Sequence, residues 1–151
     1  RKYIIPKYLE GYIYALIQGT SDQFYEEFNS RKVNSIYYDT DDFLLASQNI
    51  NGSSNRYKFR LRNYNSNLNC FDNSILEIKY KKGSLGYKNL IKCKTNLNFN
   101  PQELLKNLFI IESIPQELVE FFNKLIPVLF VSYQRNYYRS YAWNYGLKWE
   151  L

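Results

Sequence analysis

The sequence has no histidine and no methionine, and only two cysteines, Cys70 and Cys93, in 151 residues. Without histidine there is no base for a Ser-His-Asp triad, and no G-x-S-x-G turn offers a nucleophile. Two cysteines without a C-x-x-C pair argue against a structural zinc or a disulfide framework, and a reducing compartment fits. Glycine is scarce at six residues. None of them forms G-x-x-x-x-G-K-[ST] or G-x-G-x-x-G, so a chain of this kind that handles nucleotide phosphates must do so with side chains rather than a glycine-rich backbone cradle. No apolar run approaches the roughly 18 to 20 residues that cross a bilayer as a helix. A membrane link is expected only through a partner or a segment outside this one, and the expected location is cytoplasmic.

Charge and aromatic residues are plentiful. Twenty Lys and Arg face fourteen Asp and Glu, for a net charge of +6, and there are 16 Tyr and 10 Phe. The charge predicts attraction to polyanions, and the apolar fraction of 45% suits one globular domain over 1–151.

Along the chain, residues 2–5 read as a short strand ended by Pro6. Tyr8, Leu9, Tyr12, Ile13, Leu16 and Ile17 then recur at helical spacing, closed by Gly19. Ser21 can cap a second helix through residues 22–31, with Phe24 and Phe28 four apart. Residues 33–39 read as a strand, Asn51-Gly52 as a loop, and 55–64 as the next strand. Residues 74–81 and 87–95 make a hairpin about a turn holding Gly83 and Gly86. Helices are expected at 101–107 and 114–126, and strands at 128–140 and 145–151. The order indicates an α+β fold with mostly antiparallel pairing.

Arg56, Lys58, Arg60 and Arg62 occupy alternate positions, with Tyr57, Phe59 and Leu61 between them. Strand side chains alternate faces, so these cations project together at about 6.7 Å spacing. Neighbours repel by about 0.6 kcal/mol at the dielectric of water and about 2.5 kcal/mol at an effective dielectric near 20. The cost is trivial in open solvent; inside a cavity it calls for an anion. The pattern recurs in Glu77, Lys79 and Lys81, in Lys88, Lys92 and Lys94 with Leu90 interrupting them, in Tyr133, Arg135, Tyr137 and Arg139, and in Lys148 with Glu150. Several strands with cations on one face and apolar groups on the other predict a closed sheet lined with charge and clothed by helices.

The ordered set "VNSIYYDT", "RYKFRLRNY", "LEIKYK", a Lys-bearing strand and "PVLFVSYQRNYY" resembles the VTC domain. That is the polyphosphate polymerase domain of the vacuolar transporter chaperone complex and its bacterial relatives, within the triphosphate tunnel (CYTH) superfamily. The resemblance implies an antiparallel β-barrel tunnel with flanking helices, which binds a triphosphate with Mg2+ or Mn2+ and passes the γ-phosphate of ATP to a polyphosphate chain. ATP, inorganic polyphosphate and phosphate are the implied partners, and no nucleic acid is expected. Phosphoryl transfer suits such a site because it rests on positioning and charge neutralisation.

By motif, the resemblance assigns Lys2 on the first strand, Arg60 and Arg62 of R-x-R, Lys79 of E-x-K, Lys92 or Lys88 on its hairpin partner, and Tyr133 and Arg135 of Y-x-R. Lys148 stands where the family has Arg. Arg60, Arg62, Lys79 and Arg135 are the expected catalytic cations. Lys2, Arg56, Lys58, Lys81, Lys88, Lys92, Tyr133 and Lys148 are the expected phosphate contacts. Glu77 is a weak metal candidate, with an ion pair to Lys79 or Arg60 favoured. The family's metal-binding Glu has no counterpart here, so the tunnel is expected to be incomplete at its C-terminus, with the chain shortened at both ends. A non-catalytic polyphosphate sensor and a tunnel triphosphatase are the alternatives.

Overall fold

The computed structural model describes residues 4–21, 23–64, 73–93, 122–141 and 149–150. They fall into two compact units, Lys32–Tyr133 and the combination of Arg1–Arg31 with Gln134–Leu151. In chain order the elements are α1 (Glu10–Gly19), β1 (Phe24–Asp39), α2 (Leu44–Ile50), β2 (Asn55–Asn63), β3 (Ser74–Lys82), β4 (Leu85–Cys93), β5 (Ile126–Ser140) and β6 (Trp149–Glu150). Hydrogen bonding orders the strands β4-β3-β2-β1-β5-β6. The fold is α+β with an antiparallel sheet and helices, the class expected from the sequence. Among the described residues the sheet is open, with β4 and β6 at its edges, which is consistent with a tunnel-like fold.

In the unit Lys32–Tyr133 the two-residue period does most of the sorting. β2 pairs with β3 so that Tyr57 faces Tyr80, Phe59 faces Ile78 and Leu61 faces Leu76, and Ile36 and Tyr38 of β1 stand opposite Leu61 and Phe59. Ile36, Tyr38, Phe59, Leu61, Leu76 and Ile78 form the core with Leu45 of α2, Cys93 of β4, and Phe122 and Leu125, and Tyr57 packs against it. The Phe59 ring meets Phe122 edge-on at 5.2 Å. Cys93 is buried, and its Sγ donates to the Ile91 carbonyl at 3.6 Å; Cys70 lies outside the described residues.

Helix α2 is short, and its N-terminus is capped from a distance. The Asp39 carboxylate, buried at the end of β1, accepts the backbone N–H groups of Leu45 and Ala46 at 2.8 Å. Thr40 Oγ1 accepts that of Leu44 at 3.0 Å. These bonds satisfy the donors that a helix start leaves open. Asn49 then ties the helix to the sheet, its Nδ2 donating to the carbonyl of Tyr57 at 2.8 Å. The β3–β4 hairpin turns at Gly83, whose φ of +61° suits a glycine at the first central position. A second tie runs across strands: buried Asn34 Nδ2 donates to Asn63 Oδ1 at 2.9 Å, and Ser132 Oγ donates to Asn34 Oδ1 at 2.7 Å.

In the other unit, a 3-10 turn at Lys7–Leu9 leads into α1. Tyr14 on that helix accepts a hydrogen bond from Asn136 Nδ2 and meets Tyr138 edge-on at 6.1 Å. Arg139 pairs with Glu27 at 3.0 Å.

Several expectations need correction. Residues 24–31 are strand, not helix, because they begin the 16-residue β1. A spacing of four, as between Phe24 and Phe28, is even and therefore fits one face of a strand as well as a helix. Phe28 spends its ring on Tyr137 of β5, at 5.8 Å, a tertiary contact that outweighs local helix propensity. Gly86 sits inside β4 opposite Lys81, so the turn is only Gly83-Ser84. β5 begins at Ile126, before Pro127. Ile4 and Ile5 are not in a strand, while residues 2 and 3 lie outside the described residues. The helix expected at 101–107 lies outside them too, as does 114–121 of the one expected at 114–126; residues 122–124 are helical, but Leu125 is not and Ile126 already belongs to β5.

Candidate functional site

The apolar half of each strand fixes the opposite half by parity. With Phe59, Leu61, Leu76 and Ile78 buried in the core, Arg56, Lys58, Arg60, Arg62, Lys79 and Lys81 share the other face of β2 and β3. Arg56 stands opposite Lys81, Lys58 opposite Lys79, and Arg60 opposite Glu77. β4 adds Lys88 opposite Lys79, and Lys92 opposite Ile75. Both hairpin lysines therefore lie on the cationic face, and the open register between them closes in favour of Lys88 as the partner of Lys79.

Glu77 is the centre of this face. Its side chain is only 4% exposed, and four cations surround it: Arg60 Nη2 at 2.9 Å, Lys79 Nζ at 3.2 Å, Lys88 Nζ at 3.9 Å and Arg62 Nη1 at 4.0 Å. Arg60 Nη2 reaches both carboxylate oxygens. Desolvation pushes the Glu77 carboxyl upward and is the largest single influence. The hydrogen bonds and charges of Arg60 and Lys79 together exceed it, leaving the group below the ordinary carboxylate range. Arg60 is likewise opposed by desolvation, yet Glu77 and Tyr37 hold its guanidinium above its usual value. The ion pair favoured from the sequence is what the structure contains.

Two residues of this site were not singled out in the sequence. Tyr37 of β1 accepts a hydrogen bond from Arg60 Nη1 at 3.2 Å, and Ser35 Oγ accepts one from Arg62 Nε at 3.4 Å. The signal for both was the alternation of "NSIYYD", in which Ser35 and Tyr37 share the parity opposite to Ile36 and Tyr38.

The remaining expected residues are placed as follows. Arg56 donates to the Ser53 carbonyl at 2.8 Å, which anchors it at the start of β2. Lys58 and Lys92 are exposed, and Lys81 is half-buried. Tyr133 is half-buried on β5. Arg135, in the other unit, lies 6.0 Å from the Tyr137 ring, which also carries Arg31 at 5.7 Å. Lys2 and Lys148 lie outside the described residues.

A divalent cation does not fit Glu77 as arranged. Both oxygens already accept from Arg60, and the surrounding groups are positive, the reverse of the oxygen-rich ligand set such an ion takes. Among the described residues no three His, Cys, Asp or Glu gather in one place. Among them, too, no helix is long and apolar enough to cross a membrane.

The face carries an excess of positive charge along three adjacent strands. Lys79 and Lys88 keep about half of their side chains exposed, at 50% and 51%, so their ammonium groups remain available to an external anion. Comparison with curated proteins finds no match. The family model of the VTC domain matches residues 1–144, and the chain belongs to that family of polyphosphate-related domains.

Proposed function

We propose that the chain binds the triphosphate of ATP and inorganic polyphosphate along the cationic face of β2, β3 and β4, and transfers the γ-phosphate to the end of a polyphosphate chain. The convergence of Arg60, Arg62, Lys79 and Lys88 on one point carries this reading. Four cations against one carboxylate leave a local excess of three positive charges, in a place where burial weakens solvent screening. A linear polyphosphate matches that surplus, and the row continues to Arg56, Lys58, Lys81 and Lys92 for the rest of its length. In transfer these groups hold the donor and acceptor phosphates in line and neutralise charge on the equatorial oxygens, which is most of what phosphoryl transfer asks of a protein. Magnesium or manganese is proposed to arrive with the nucleotide phosphates.

Glu77 favours a second reading on the same face. This acid is committed to cations rather than open to a metal ion, which suits a domain that binds polyphosphate without turnover.

Incubation with ATP and manganese, with and without a short polyphosphate primer, separates the readings. Long chains on a gel together with ADP, both lost in Arg60→Ala, support the polymerase. ADP without polymer indicates a tunnel-type triphosphatase. Polyphosphate binding with neither product supports the sensor, and no binding at all overturns both proposals.

A further inference from the structure

Glu77 is a buried titratable group to which phosphate transfer itself gives no task. It occupies the point where the cations converge, and a carboxylate with two oxygens accepting from Arg60 presents much the same surface as two oxygens of a phosphate. The groups that face it come from four strands: Tyr37 of β1 through Arg60, Arg60 and Arg62 of β2, Lys79 of β3 beside it, and Lys88 of β4.

We propose that Glu77 is a positioning residue that serves as a built-in counter-anion: it gathers Arg60, Arg62, Lys79 and Lys88 while the face is empty, and an incoming phosphate takes those cations over from it. This rests on the phosphate-binding reading above and adds an exchange to it. Without an internal anion, Lys58 opposite Lys79 and Lys79 opposite Lys88 would splay like charges apart across neighbouring strands. With it, the cations are held near one point before the ligand arrives, so less ordering remains for binding. The cost falls on Glu77, which is left buried beside a new anion. The geometry of Arg60 agrees with a reserve for exchange: its Nη1 and Nη2 are engaged, while its buried Nε has no partner among the described residues.

The probe is sodium tripolyphosphate. Its binding to the wild-type chain is measured first by calorimetry, and the Glu77 carboxyl is then titrated by NMR with and without it. Binding is expected, and the ligand should raise the carboxyl midpoint by about one pH unit or more. Glu77→Gln should tighten binding about tenfold at low salt and steepen its salt dependence by about one. Glu10→Gln, which makes the same change in net charge on α1, should alter binding less than twofold. Absence of binding overturns the phosphate-binding reading and this proposal with it. Binding with an unmoved Glu77 midpoint overturns the exchange alone, as does Glu77→Gln that folds normally and binds no more tightly. The wild-type titration decides the matter if that variant does not fold.

Discussion

The two faces of β2 and β3 are built from the same backbone, one residue out of step, and are held by different forces. On one face Tyr57, Phe59, Leu61, Leu76 and Ile78 pack against α2, Phe122 and Leu125. On the other, six cations share two strands with one carboxylate, around which Arg60, Arg62, Lys79 and Lys88 of the neighbouring β4 converge. The first face is stable because it fills volume and excludes water. The second would repel itself and is balanced at one point by Glu77. The packed face decides whether the strands stay together; the charged face decides what they meet.

The largest way to test this contrast is Phe59→Ala. Phe59 is 1% exposed, and its truncation is expected to cost about 3–5 kcal/mol in urea unfolding. A loss below about 1 kcal/mol would mean that the packed face does not hold the sheet.

Arg60→Ala strikes the one point where the charged face also carries stability. It leaves Glu77 buried without its closest partner, at an expected cost of about 3 kcal/mol. Adding Glu77→Gln should return most of that loss, which a double-mutant cycle measures. The pH dependence has a definite sign. Glu77 is held below its ordinary value of 4.5, so its contribution is fully present above that pH and is lost as pH falls through the lowered value. Glu77→Gln should flatten the acid limb of the stability profile.

Asp39→Ala sharpens the comparison from the side of the scaffold. It removes the acceptor for two helix N–H groups, at an expected cost of about 1–2 kcal/mol, with faster amide exchange at Leu45 and Ala46. The smallest effect on stability belongs to Lys58→Gln. Lys58 is exposed and faces Lys79, so stability should change by less than about 0.5 kcal/mol. The salt dependence of tripolyphosphate binding should nevertheless fall by about one. Equal effects of Lys58→Gln and Phe59→Ala on unfolding would erase the distinction between the faces.

Much of this arrangement was legible because strands β2 and β3 alternate cleanly. The period of two gave both faces, the hairpin and the ion pair at Glu77. It could not settle Lys88 against Lys92, because a hairpin with two glycines admits more than one turn, and only Gly83 at φ +61° fixes it. The Phe24–Phe28 spacing satisfies both periods, and the contacts that decide for strand over 24–31 come from β5, about a hundred residues on. Helix α2 gives little signal in the sequence because its seven residues carry little apolar periodicity. Its cap is Asp39, several residues before the helix begins, where a local capping pattern would not place it.

The hydrogen bond from Ser132 to Asn34 spans 98 positions of sequence, whereas Lys82 and Leu85 close the β3–β4 hairpin across three. Loop-closure entropy rises with the length enclosed, so these contacts are not equally easy to make. The expected order of assembly is the hairpin first, then β2 and α2 beside it, with β5 docking on β1 last. Until that last step, β1 presents an unpaired edge in a chain that already holds much of its core, and this is where association between copies during refolding is expected to start. Pulse-labelled hydrogen exchange that protects β5 before the hairpin would reverse the order.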